Sequence, residues 1–147
     1  MHTSPTLDEL ASAAERLNRS PPLLHAGLLV SFPALDLIVA ELAVVRAEHR
    51  GGLGTSAVNG GVLAAVFDLV TGCTALLVDP HTPSATVQLS MSFERPVLGD
   101  SLRAEGRIDT RGRRTLFASG RIFDERGQVC ARCQALVALA RTRPAAR

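Results

Sequence analysis

Two apolar periods divide the chain. Leu7, Leu10, Ala11, Ala14 and Leu17 recur at helical spacing behind Ser and Thr residues able to cap, and predict a helix over 7–18. SPPLLHAG interrupts it, and 28–35 takes no firm assignment. LDLIVAELAVVRAEH then mixes β-branched and polar residues in the manner of a first strand. Five glycines in the twelve residues RGGLGTSAVNGG make a loop. From Gly60 to about Val78 nearly every position is apolar, which predicts a helix buried on all sides, with Asn59 as its N-cap and DPHTPS as its stop. The period then changes to two. Val87, Leu89, Met91 and Phe93 fall on one face, and Thr86, Gln88, Ser90 and Ser92 on the other. SLRAEGRI, TLFASGRIF and QVCARCQALVAL follow between the turns LGD, TRGRR and DERG, as in an antiparallel meander. Helix, strand, long helix and four strands predict an α+β fold, its sheet curled around one long central helix.

Composition narrows the classes of function. The chain has 147 residues, 46% hydrophobic and 20% charged, which suits one globular domain. A net charge of only +2, with no Trp, no Tyr and five Phe, lacks the basic stripe and stacking platform of a nucleic-acid binder. Residues 62–78 are short for a membrane span, contain Asp68 and Gly72 and have no basic flanks, so no membrane association is expected. The N-terminus has no signal-peptide pattern, and three cysteines are an odd number, which points to the reducing cytoplasm. Cys130 and Cys133 form a CxxC within a strand pattern, where residues three apart point to opposite faces. This disfavours chelation or a disulfide, and no metal or redox cofactor is expected.

The chemistry centres on Asp68. Between Gly61 and Val78 it is the only ionisable residue apart from the Cys73 thiol, and a buried unpaired carboxylate is costly. It is either a general base or nucleophile, or a structural carboxylate bonded across a helix interface. Gly60 and Gly61 stand where a helix begins, and unpaired amides there can hold developing negative charge. The competing reading of the two glycines is a sharp loop-to-helix turn.

The element order, with NGGVLAAVFD leading the long helix, resembles the hotdog fold. More narrowly it is similar to the small acyl-CoA thioesterases of the phenylacetate-pathway type, over roughly residues 35–140. Members typically carry His-Gly-Gly and, nine positions after the His, an Asp in the apolar helix. Here Asn59-Gly60-Gly61 stands in that place and Asp68 lies nine positions after Asn59. LSMSFERPVLGDSLRAEGRI resembles the second strand, Pro-containing turn and following strand of the family, with Thr86 where a small hydroxyl residue often begins that strand. The chain departs from the pattern at Asn59 and at Leu53, where many members carry Asn; Thr55 and Ser56 are nearby substitutes.

The resemblance implies hydrolysis of an acyl-CoA to free acid and CoA, with Asp68 as nucleophile or general base. The Gly60 amide would be the oxyanion donor, Gly61 would adjoin the substrate, and Thr86 would orient Asp68 or its water. Asn59 is either a helix cap or a substrate donor. Arg113 and Arg114, with Arg111, Arg95 and Arg103, are candidates for the CoA phosphates, and His49 for a group on the substrate side. Gly60 and Asp68 are separated by about 12 Å of helix rise, too far for one reacting carbonyl. Two copies with antiparallel helices would bring them together, and the resemblance likewise implies a homodimer or dimer of dimers. The domain reading is an N-terminal helical extension over 1–34, a hotdog domain over 35–142 and a basic tail over 143–147. Two other readings compete: a non-catalytic module binding acyl-CoA or acyl carrier protein, and a hydratase, which would need an Asp/His pair near Gly60.

Overall fold

The structure, a computed structural model, describes residues 4–51 and 56–140. Thr6 opens helix α1 (Leu7–Asn18) through a capping box: its hydroxyl accepts from the Glu9 amide while the Glu9 carboxylate accepts from the Thr6 amide. The SPPLLHAG segment is itself a short helix, α2 (Pro21–Ala26). Proline suits its first turn, and Gly27, at φ +73°, ends it in the left-handed conformation.

A six-stranded antiparallel sheet follows, formed by β1 (Leu28–Ala34), β2 (Leu37–Leu42), β3 (Ser84–Phe93), β4 (Leu102–Arg111), β5 (Thr115–Asp124) and β6 (Val129–Leu139). Its order is β1-β2-β4-β5-β6-β3, with α3 (Gly60–Gly72) packed across it. This is the α+β arrangement expected of a hotdog fold. Segment 1–34 is not wholly helical, because β1 joins the sheet edge through β2. Leu28 and Val30 turn inward while Leu29 and Ser31 face out, and Pro33 falls where the register shifts, at an edge that tolerates proline. The segment 143–147 lies outside the described residues.

Two glycines let α3 approach closely. A Cβ on Gly106 would collide with the Val70 carbonyl oxygen of the helix, and one on Gly120 would lie 3.2 Å from the Phe67 ring. Leu63, Val66, Phe67, Val70 and Thr71 are buried. The helix is not buried on all sides, however: Gly61, Ala65 and Asp68 are exposed. One sheet covers one side of a cylinder, and among the described residues the other side is left partly open. The α-helix ends at Gly72, and a 3-10 turn over Cys73–Leu77 continues the buried segment.

Two bulges correct the predicted faces. In β3, Thr86 pairs with Val137 and Gln88 with Leu136, so Val87 is the extra residue and is 62% exposed. The slip turns Thr86 to the helix side together with Leu89 and Met91. In β6, Ala131 faces Ile122 and Val129 faces Phe123, leaving Cys130 as the extra residue. Cys130 and Cys133 therefore both enter the core, as free thiols, rather than pointing to opposite faces.

Candidate functional site

The turn into α3 is held by side chains that precede it. His49 is buried: its Nδ1 accepts from the Arg46 amide at 2.9 Å, which leaves Nε2 to donate to the Ala26 carbonyl at 2.9 Å. With both ring nitrogens engaged inside the chain, His49 braces the loop and has none left for a substrate, contrary to the sequence expectation. The Arg50 guanidinium donates to the Ser56 and Gly99 carbonyls and to the Asp100 carboxylate at 2.8–3.0 Å, tying the glycine-rich loop to the 97–100 turn. Leu53 and Thr55 lie outside the described residues.

Asn59 caps the helix. Its backbone amide donates to the His49 carbonyl at 2.8 Å, Oδ1 accepts from the Gly61 amide at 2.8 Å, and Nδ2 donates to the Gly51 carbonyl at 3.0 Å. Both polar ends of its side chain are thus used inside the chain, and so is the Gly61 amide. The Gly60 amide has no acceptor among the described residues. At the positive end of a 13-residue helix, it is the donor left open to an incoming oxygen.

Gly60 opens onto a groove of about 260 Å³ whose lining includes Val58, Leu63, Phe93, Glu94 and Arg95. Asp68 lies farther along the helix on a different groove, of about 580 Å³, which it shares with Thr86. The Thr86 hydroxyl faces Gly72, one helical turn beyond Asp68, at 3.1 Å from where a Cβ would stand. The Asp68 carboxylate is exposed and makes no hydrogen bond or ion pair among the described residues. Its neighbour Cys73 stays a neutral thiol, pushed up to about 11 by burial and then by the Asp68 charge. The thiol is therefore lining rather than a competing nucleophile.

Within one protomer the structure brings Asp68 and Thr86 together, and it keeps Gly60 apart from both. Arg113 and Arg114 are exposed in the β4–β5 turn, outside the lining of either groove. Arg103 is paired with Glu105 and stacks over Phe123. Of the candidate arginines, Arg95 lines the Gly60 groove. His81 and Leu17, which line the Asp68 groove, had no signal in the sequence, since they come from a loop and a helix distant in sequence. Among the described residues, no group of three His, Cys, Asp or Glu side chains is arranged to hold a metal ion.

Residues 55–131 match the profile of a family described as the thioesterase superfamily. A search of curated proteins finds no match. Among solved structures, a protein from the thioesterase superfamily is 27% identical, with a TM-score of 0.79 over 91% of this chain and 99% of its own. A thioesterase from Haemophilus influenzae is 18% identical, with a TM-score of 0.80 over 99% and 98% of the two chains. A Bacillus halodurans protein solved with CoA is 19% identical, with a TM-score of 0.76 over 92% and 89%. The last two likenesses establish a common fold.

Proposed function

The chain belongs to the thioesterase superfamily, and from that premise we propose that it is a homodimeric acyl-CoA thioesterase of the phenylacetate-pathway type, with dimers able to pair further. The observation that carries the reading is the division of α3: a carboxylate on one groove and an N-terminal amide on another, both exposed and both without a partner among the described residues. Antiparallel pairing of two such helices sets Asp68 of one copy beside Gly60 of the other. β3 supports the pairing, because among the described residues it is a sheet edge paired with β6 alone. The CoA bound to the Bacillus halodurans protein is consistent with the substrate class. Three free thiols suit the reducing cytoplasm as its location.

In the proposed reaction the Asp68 carboxylate either attacks the thioester carbonyl itself or takes a proton from the water that does. The Gly60 amide donates to the oxyanion that forms. Collapse breaks the carbon–sulfur bond and expels CoA thiolate, which is protonated. In the nucleophilic route, water then cleaves the acyl-aspartyl anhydride to give the free acid and restore Asp68. Thr86 positions Asp68 or its water, and Arg95, at the Gly60 groove, meets the CoA phosphates in preference to Arg113 and Arg114.

The test is thiol release from short-, long- and arylacetyl-CoA esters. Asp68→Asn and Asp68→Ala are expected to lower turnover at least about a hundredfold, about 2.7 kcal/mol of transition-state stabilisation, with folding intact. Full activity in both variants sinks the assignment. A second reading is a module that binds acyl-CoA or acyl carrier protein without hydrolysis. It draws on Asn59, whose side chain is consumed by capping where the family carries His. Ester binding by wild type with no thiol release would favour it.

A further inference from the structure

We propose that the groove beside Asp68 is the acyl site and that α1, which precedes the family-matched segment, sets the length of chain it accepts. The proposal rests on the thioesterase reading. Asp68, Gly72 and Leu76, with Leu69 and Cys73, line the groove at successive turns, so it follows the helix and the 3-10 turn after it away from the carboxylate for eight residues, about 14 Å. Leu17 of α1 and the 80–86 segment complete the lining. At about 580 Å³ the groove has the size of a small-molecule site.

Charge assigns the two halves of the substrate. Among the described residues no Arg lines this groove, where Leu17, Leu69 and Leu76 supply apolar lining; Arg95 lines the one at Gly60, and the Glu94 carboxylate beside it is paired with Arg132. A hydrocarbon chain therefore belongs on the Asp68 side and the phosphates on the Gly60 side, with the reacting carbonyl between. The α1 side of the lining is held in place. Leu10, Ala13 and Ala14 bury one face of α1. Asn18 locks its end to β1, with Nδ2 donating to the Val30 carbonyl at 3.0 Å and Oδ1 accepting from its amide at 2.7 Å. The rim is braced too, since the Asp79 carboxylate accepts from the His81 amide and the Thr82 hydroxyl. A fixed wall limits length by steric exclusion, because a well-packed interior has little room to yield.

The experiment uses the full chain with Leu17→Phe, Leu17→Ala and Leu76→Phe, across saturated acyl-CoA esters from acetyl to dodecanoyl. The readout is the ratio of kcat/KM for long esters to that for short ones. Both Phe variants are expected to lower this ratio about tenfold, the size of a methylene effect in an apolar pocket, and Leu17→Ala to move the optimum to longer chains. A profile unmoved in all three, with Asp68-dependent hydrolysis intact, overturns the acyl-site proposal and leaves the thioesterase reading standing. Non-hydrolysable acyl-CoA thioethers of the same lengths separate the converse. If no thiol is released but thioether affinities shift with Leu17, the groove stands and the hydrolytic reading falls.

Discussion

At the residue scale, Asp68 and Asn59 differ in how far the chain itself reveals them. Asp68 stands out because no other carboxylate interrupts its apolar stretch, and the structure leaves that carboxylate without a partner among the described residues. Asn59 is a favourable cap wherever a helix starts, but its second bond, to Gly51, depends on how the loop folds back. Asn59→Ala loses the cap and is expected to cost about 1 kcal/mol in urea unfolding. Asn59→Asp keeps the acceptor for Gly61 at a helix end that favours negative charge, so it should cost less. Equal losses in the two would mean that the Gly51 bond, not the cap, carries the effect. Thr86 was legible as a partner of Asp68 through the family resemblance but not through the strand pattern. Alternation placed it on the polar face, and the bulge at Val87 turned it to the helix.

At the scale of elements, long regular patterns were legible and their interruptions were not. α1, the start of α3 and the last four strands lie where periodicity puts them. β1 and α2 were missed because prolines at 21, 22 and 33 read as breaks. Two of these open a helix, and the third sits on a sheet edge. The close seat of α3 on β4 and β5 depends on Gly106 and Gly120, which within a strand pattern give no sign of what approaches them. Gly106→Ala drives a methyl group against the Val70 carbonyl and to within 2.9 Å of the Ile38 side chain. Overpacking of this kind is expected to cost about 1–3 kcal/mol, read as a lower urea midpoint. An unchanged midpoint would show that α3 can lift without loss.

At the scale of the whole molecule, two outcomes test how the parts combine. Burial pushes Cys133 up to about 12 and Cys73 up to about 11, against 9.0 for an ordinary thiol. As pH rises past 9.0 the unfolded chain releases these protons while the folded chain keeps them, so the stability present below that pH declines toward pH 11–12. Urea midpoints should therefore fall across this window, and Cys133→Ala should flatten the fall. For assembly, the exposed stripe of Gly61, Ala65 and Asp68 would pack against a second copy in the proposed dimer. Ala65→Arg should then shift sedimentation to the monomer and abolish thiol release while leaving the protomer folded. A dimer that survives the substitution would argue for pairing elsewhere. By itself the sequence determined the α+β class, the long helix and its cap, and the isolation of Asp68, because each follows from periodicity or from a local residue preference. Only the tertiary structure decided that α3 is open on one side, that Thr86 and Asp68 share a groove while Gly60 opens onto another, and that α1 walls that groove. These depend on bulges, close approaches and contacts between segments far apart in the chain, which no local pattern encodes.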